Sequence, residues 1–198
     1  MTKRLNLAKS NLTPNFIGSW EMKAIICDHI INYYDKHQDK QRQGVTGNRG
    51  IILETKDRKD ISISPRELNL PDNEIFKEYF ETLFEFYKDY NNQWPFLASI
   101  IPTLEIGRFN IGKYIAGEHF QKIHTERDSL NSLHRLLAFM TYLNDVEDGG
   151  STYFLHYDLH IKPQKGLTII WPAEWTHAHK GSIVNSGSKY IITGWLTF

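Results

Sequence analysis

The sequence is poor in three features that mark whole classes of protein. Among its 198 residues it has a single cysteine, Cys27, so a disulfide-built secreted scaffold is excluded. No apolar run approaches the roughly 18 residues that a membrane-spanning helix needs. Residues 1–10 also lack an apolar run of signal-peptide length. We therefore expect a cytoplasmic protein with no membrane partner.

Net charge is also absent, because the 23 Lys and Arg residues are balanced by 23 Asp and Glu residues. This balance gives no electrostatic basis for binding nucleic acid, and we expect no such partner. Hydrophobic residues make up 40% of the chain and aromatic residues 13%, which favours a packed core over disorder. The length predicts one domain spanning residues 1–198.

Two stretches of the first half show apolar residues at helical spacing. The first predicts a helix from Trp20 to Tyr34, with Ser19 as its N-cap. The second predicts a helix from Asp72 to Tyr90, starting after Pro71, and Pro95 should end any continuation.

The second half has the pattern of short strands separated by glycine-containing turns. The predicted strands are 104–110, 136–143, 167–171 and 190–198. Helices followed by evenly spaced strands favour an α+β fold with an antiparallel sandwich or barrel as its core. We expect residues 1–100 to be mainly helical support and residues 101–198 to form the core.

The segment from Lys40 to Asp60 is rich in glycine (Gly44, Gly47 and Gly50) and in charges of both signs. It fits a solvated loop with one short strand from Ile51 to Glu54. It also fits a mobile flap over a site, since long irregular segments of compact domains are often functional.

The most informative chemical motif is His124-Thr125-Glu126. Side chains two residues apart in a strand point to the same face, so an imidazole and a carboxylate would project together. Two histidines and one carboxylate leave three open positions on an octahedral metal, as in non-haem Fe(II) oxygenases. The third ligand would be His177 or His179. An exposed polar strand without metal is the alternative.

Lys189 follows His179 by ten residues and opens the apolar stretch that ends the chain. It is either an exposed end residue or an inward-pointing cation. An inward-pointing ammonium needs an anionic partner, because an unpaired buried charge costs several kcal/mol. A dicarboxylate co-substrate would supply that partner.

From Tyr114 to Trp195 the sequence resembles the catalytic core of the 2-oxoglutarate- and Fe(II)-dependent dioxygenases. The resemblance is closest to the prolyl 4-hydroxylase-like branch, including small bacterial and phage-encoded members. The matching segments cover roughly the last 85 residues in the right order: 114–117, 124–126, Arg135 with 141–145, 149–154, 162–163 with Gly166, 179–181, 187–189 and Trp195. The N-terminal helices fit the family only generically.

The resemblance implies a double-stranded β-helix, or jelly-roll, core. It implies Fe(II), 2-oxoglutarate and O2 as cofactor and co-substrates, with ascorbate as a supporting reductant. The activity implied is hydroxylation of a C–H bond coupled to decarboxylation of 2-oxoglutarate to succinate and CO2. It assigns Fe(II) to His124, Glu126 and His179. The residues expected to bind the co-substrate are Lys189, Tyr114, Thr152 and Trp195.

The sequence departs from the family at Glu126, because the family usually has His-x-Asp. Glu is one methylene longer and can still coordinate if its strand lies farther from the metal. Asp128, with the same strand parity as His124, is the alternative carboxylate. His177 is the alternative distal ligand, although only His179 has the family's spacing to Lys189.

The resemblance leaves the substrate open. A peptidyl proline is the first expectation, and family members also hydroxylate other side chains, free amino acids and small molecules. Two other classes remain: a cupin-like metal barrel with non-oxidative chemistry, and a jelly-roll binding module without catalysis. The first would bind metal and leave 2-oxoglutarate untouched, whereas the second would bind neither.

Overall fold

The computed structural model describes Lys3, Leu5 and residues 15–45, 50–101 and 103–198. Three α-helices are present in this part of the chain: α1 (Ala24–Lys36), α2 (Ile75–Gln93) and α3 (Pro95–Ile100). Its strands are β1 (Gly18–Glu21), β2 (Arg42–Gln43), β3 (Lys59–Ile63), β4 (Glu105–Ile106), β5 (Phe109–Ile115), β6 (Phe120–His124), β7 (Arg135–Tyr142), β8 (Thr152–Phe154), β9 (Leu159–Ile161), β10 (Leu167–Pro172), β11 (His179–Gly181) and β12 (Ser188–Thr197).

The strands form two antiparallel sheets. The larger has the order β1-β10-β7-β12-β5-β3-β2, with β4 also paired to β12, and the smaller has the order β6-β11-β8-β9. The prediction of a mixed helix-and-sheet fold is confirmed. The first hundred residues are not only helical support, however, because β1, β2 and β3 complete the larger sheet.

The predicted start of the first helix is wrong. Trp20 lies in β1, which pairs with β10, and Ser19 is a strand residue rather than an N-cap. The Trp20 ring is fully buried, stacks on Phe86 at 5.7 Å between ring centroids, and donates its indole N–H to Asp89. Tertiary packing of one large aromatic side chain therefore determines the structure here, although the local spacing is helical.

The second predicted helix is confirmed, with shifted ends. A 3-10 turn over residues 71–73 precedes α2, which runs three residues past the predicted end. Pro95 is the first residue of α3, where its fixed φ and missing N–H are tolerated.

Three of the four predicted strands of the second half correspond to β7, β10 and β12. The first is divided, because Gly107 and Arg108 interrupt it between β4 and β5. The predicted strand from Ile51 to Glu54 is wrong. Residues 53–55 form a turn, which the hydrogen bond from Thr55 N to Ile52 O closes at 3.0 Å.

The larger sheet is buried on both faces, which explains why β7, β10 and β12 are mainly apolar. On one face it packs against α1 and α2, where Phe109 and Phe139 meet Phe80 of α2 edge-on. On the other face Ala138, Met140 and Ile191 belong to a second core shared with the smaller sheet. The functional side chains described below lie between the two sheets. No helix within the described residues combines the length and apolar character needed to cross a bilayer.

Candidate active site

His124 and His179 are brought together by strand pairing. They are directly opposed residues of β6 and β11, so their side chains lie on the same face of the smaller sheet. His124 Nδ1 lies 2.8 Å from Lys122 O, and His179 Nδ1 lies 2.9 Å from His177 O. A carbonyl oxygen only accepts hydrogen bonds, so both Nδ1 atoms carry a proton, and in a neutral imidazole this leaves the Nε2 lone pair free for a metal.

Glu126 lies two residues past the end of β6, so the expected strand alternation is not what places its carboxylate. Its Oε1 lies 3.4 Å from His179 Nε2 and 4.0 Å from His124 Nε2. Its Oε2 accepts a hydrogen bond of 2.8 Å from the indole N–H of Trp195. The guanidinium of Arg135 lies 3.6 Å from the Trp195 ring centroid and donates to Glu126 O. Glu126 is therefore fixed at two points: Arg135 binds its backbone carbonyl and Trp195 binds its Oε2.

The protonation states of this group suit a metal. Burial alone would raise the pKa of Glu126, but the contact with His179 and the hydrogen bond from Trp195 outweigh it and hold the pKa below its usual range. Burial and the neighbouring His179 lower the pKa of His124 to about 3, so its imidazole is neutral. One potential ligand atom from each of His124, Glu126 and His179 lies within 4.8 Å of the others. Two imidazole nitrogens and one carboxylate oxygen on one face are a donor set that fits Fe(II).

The group formed by His124, Glu126 and His179 opens into a cavity of about 510 Å³ between the sheets, and Lys189 lies in the same cavity. The Lys189 side chain is only 2% exposed, and its ammonium donates a 2.9 Å hydrogen bond to Gly150 O. Within the described chain this is its one acceptor, so two N–H groups remain unused. Burial and the nearby Arg58 lower the pKa of Lys189 to about 7.

Tyr114 and Thr152, the two expected helpers of Lys189, also line the cavity. Tyr114 is the directly opposed residue of Lys189 across β5 and β12, and the ammonium lies 4.2 Å from its ring centroid. The Thr152 hydroxyl accepts a 2.6 Å hydrogen bond from Tyr142, which leaves its own proton for another acceptor. Unused donors thus converge at the end of the cavity that holds Lys189. A carboxylate fits there.

Sequence reasoning missed three charged residues of the cavity wall: Lys56, Arg58 and Asp60. All three are buried, and together with Ser62 they alternate along one face of β3 and the segment before it. Charged residues in a glycine-rich segment resemble a solvated loop. Lys56, Arg58 and Asp60 occupy every second position, next to the alternating Ile61 and Ile63 of β3. This alternation is typical of a strand with one buried face and could have identified them.

The two alternative metal ligands, Asp128 and His177, are not part of this group. Asp128 lines the cavity, but it is not part of the close group that His124, Glu126 and His179 form. His177 lies in a 3-10 turn rather than a strand, and its Nε2 is 2.8 Å from Asn15 O. The predicted flap spans residues 40–60. Its residues 46–49, which include Gly47, lie outside the described residues. Val45, Lys56 and Arg58 line the cavity, and a covering motion stays a prediction.

Comparison with known proteins agrees with this geometry. The family model described as the 2OG-Fe(II) oxygenase superfamily matches residues 109–197, which contain all the residues expected from the sequence to bind metal and co-substrate. The recognition made from the sequence is thereby confirmed, and with it the expectation of Fe(II), 2-oxoglutarate and O2.

Several of the proteins to which this chain is similar are prolyl hydroxylases. The chain is 28% identical to a probable prolyl 4-hydroxylase of Arabidopsis thaliana over 125 residues, which are 50% of this chain and 43% of the relative. The chain thus spans less than half the length of that relative.

Two solved structures share the fold. A viral collagen prolyl hydroxylase from Paramecium bursaria Chlorella virus-1, in complex with 2-oxoglutarate, has a TM-score of 0.67 at 19% identity, covering 92% of this chain and 96% of that one. A Trichoplax adhaerens prolyl hydroxylase, in complex with a hypoxia-inducible-factor peptide, has a TM-score of 0.74 at 13% identity, covering 94% of this chain and 85% of that one.

Proposed function

We propose that this protein is a 2-oxoglutarate-dependent non-haem Fe(II) dioxygenase that hydroxylates a C–H bond. The observation that carries the proposal is the presence, in one cavity, of the group formed by His124, Glu126 and His179 and of the buried ammonium of Lys189. The chemistry supplied there is conversion of a substrate C–H to C–OH while 2-oxoglutarate and O2 become succinate and CO2. The two sheets would then form the double-stranded β-helix of this superfamily.

The proposal gives each residue a role that its contacts support. His124, Glu126 and His179 hold the metal on one face and leave the opposite positions open. Lys189 pairs with the distal carboxylate of 2-oxoglutarate, and the Tyr114 and Thr152 hydroxyls donate to it. Trp195 lines the cavity and orients Glu126. The surrounding core excludes water from the reaction.

A peptidyl proline is the substrate that the relatives support best. The relatives named above are prolyl hydroxylases, and one of the solved structures holds a peptide. The cavity also has enough volume for more than the co-substrate, since about 510 Å³ lies within the usual range of ligand sites. A proline-containing peptide is therefore the first substrate to test.

The first experiment is a thermal-shift titration under argon with Mn(II), followed by 2-oxoglutarate. A ligand that binds only the folded state raises the melting temperature according to its affinity and concentration. We expect a metal-dependent increase that 2-oxoglutarate enlarges, and a smaller enlargement in Lys189→Met. A metal shift with no response to 2-oxoglutarate would identify a non-oxidative metal barrel, and no shift with either would contradict the proposal.

Turnover is the second measurement. The Fe(II) enzyme should consume 2-oxoglutarate, and proline peptides should gain the mass of one oxygen atom. Both changes should disappear in His124→Ala and His179→Ala. If 2-oxoglutarate consumption is stimulated by another substrate class and not by proline peptides, the dioxygenase proposal stands and the proline assignment is wrong.

A further inference from the structure

The cavity wall contains a continuous row of charged and polar side chains that crosses from β3 to β12. Lys56 Nζ lies 3.0 Å from Asp60 Oδ2, and Asp60 Oδ1 lies 2.7 Å from Arg58 Nε. Arg58 Nη1 donates a 2.7 Å hydrogen bond to the Tyr114 hydroxyl, whose ring lies against the Lys189 ammonium. The row thus holds three buried cationic side chains and one carboxylate, Asp60, which contacts only Lys56 and Arg58. Such an excess of charge is costly unless an anion joins it.

The direction of the hydrogen bond between Arg58 and Tyr114 determines what Tyr114 can do. A guanidinium has donors only, so the phenol oxygen accepts and the phenol proton stays available. Among the described residues no acceptor takes that proton. Arg58 therefore orients Tyr114 as a donor, at the position that faces Lys189.

Arg58 also keeps donors of its own. Its side chain is 4% exposed and lines the cavity, and within the described chain its Nη2 group has no protein acceptor. Guanidinium groups pair with carboxylates through two parallel N–H donors. Arg58, Tyr114 and Lys189 consequently present unused donors from three neighbouring strands or segments.

The backbone makes room for this arrangement. Gly112 of β5 lies opposite Asp60, and a Cβ at Gly112 would come within 2.8 Å of Asp60 Oδ1 and 3.1 Å of Arg58 Cζ. At Gly44 a Cβ would come within 2.8 Å of Lys56 Cε. The absence of a side chain at Gly44 and Gly112 thus leaves the space that the buried charged side chains occupy.

We propose that Arg58 is a specificity-determining residue for the dicarboxylate co-substrate, forming with Tyr114 and Lys189 a three-part anchor for its distal carboxylate. This inference rests on the proposed function and adds to it a residue outside the region that matches the superfamily. Arg58 acts directly through its free Nη2 donors and as the positioning residue of Tyr114.

The test is the affinity of the Mn(II)-loaded protein for 2-oxoglutarate, measured by calorimetry. Arg58→Met should weaken binding roughly 10- to 100-fold, since a hydrogen bond to a charged group is worth about 1.5–3 kcal/mol. Lys56→Met is the matched control, because it removes a buried cation of the same row that does not contact Tyr114. It should change the affinity less than about threefold. Equal losses in both variants would show a net-charge effect and overturn the proposal.

A second ligand separates anchoring from structural damage. Thermal shifts with 2-oxobutyrate, which has the keto-acid end and no distal carboxylate, should be equal in wild type and Arg58→Met. An equal loss for both ligands would mean that the variant has disturbed the metal end of the site, contrary to the proposal. Arg58→Met/Asp60→Asn removes both partners of the ion pair and keeps the test valid if the single variant does not fold.

The Tyr114→Phe variant tests the positioning role. If Arg58 acts partly through Tyr114, the two substitutions together should weaken 2-oxoglutarate binding by less than the product of their separate effects. Strict multiplication of the two effects would contradict that role. If wild type binds no 2-oxoglutarate, the proposed function fails; if wild type and Lys189→Met behave as expected and Arg58→Met binds normally, only this inference fails.

Discussion

The indole N–H of Trp195 donates to Glu126 Oε2 at 2.8 Å, while Glu126 Oε1 faces the Nε2 atoms of His124 and His179. The two oxygens of one carboxylate thus have different partners. The hydrogen bond leaves Oε1 as the oxygen directed at the metal position. It also restrains a side chain with one more rotatable bond than the aspartate usual in this superfamily.

Trp195→Phe should lower the affinity for Mn(II) by about 10- to 100-fold, the usual effect of removing a partner that orients a metal ligand. A phenyl ring replaces the indole, so an aromatic face remains for Arg135 to pack against while the N–H donor is lost. Trp171→Phe is the matched control, since the Trp171 indole nitrogen has no acceptor within the described residues. Calorimetric titration of both variants measures the difference. Equal affinities in both would show that the hydrogen bond to Glu126 does not support the metal.

Glu126→Asp restores the common motif, yet we expect it to bind Mn(II) roughly tenfold more weakly than wild type, since it loses the orienting contact. The shorter side chain withdraws its carboxylate from both the histidines and the Trp195 indole. Asp128→Asn should leave the affinity unchanged, because Asp128 lies outside the close metal-ligating group. The reverse order of effects would assign the metal carboxylate to Asp128.

The sequence predicts those parts of the fold and site that depend on local spacing, and not those that depend on contacts between distant residues. His124, His179 and Lys189 could be chosen as candidates because their spacing along the chain is a property of the motif itself, and the structure places all three in one cavity. The β7, β10 and β12 strands could be predicted because an apolar run of strand length needs no further context. Trp20 was assigned to a helix because its spacing is helical, whereas its burial against Phe86 depends on a helix more than 60 residues away.

The contribution of Arg58 could not be predicted from motif spacing. Its burial depends on the pairing of β3 with β5, which lies about 50 residues further along the chain. Only the alternation of Lys56, Arg58 and Asp60 is local. When the pairing with β5 is not known, the same alternation fits an exposed edge strand equally well.

The pH dependence of 2-oxoglutarate binding tests Lys189. Burial and the charge of Arg58 lower the pKa of Lys189 to about 7, and only the protonated form pairs with a carboxylate. Below pH 7 the affinity should be constant. Above it, binding requires proton uptake, so the dissociation constant should increase by up to about tenfold per pH unit. Tyr114 and Arg58 keep their protons over this range, because their pKa values are raised.

Calorimetry in two buffers of different ionisation enthalpy, at saturating Mn(II) between pH 6.5 and 8.5, measures this proton uptake directly. Lys189→Met should bind weakly and without the pH dependence. A wild-type affinity that stays constant across this range would show that the ammonium is not the partner of the distal carboxylate.

Gly112→Ala should weaken 2-oxoglutarate binding and leave Mn(II) binding unchanged. The new methyl group would come within 2.8 Å of Asp60 Oδ1, so the ion pair between Asp60 and Arg58 has to move. Arg58 would then lose its alignment with Tyr114, while the two histidines of the proposed metal site lie on the other sheet. Gly181→Ala is the control, because its methyl group would meet Phe120 Cβ at an ordinary 3.7 Å. Normal 2-oxoglutarate affinity in Gly112→Ala would mean that the exact position of Arg58 is unimportant, and a parallel loss of Mn(II) affinity would indicate general disruption of the sheets.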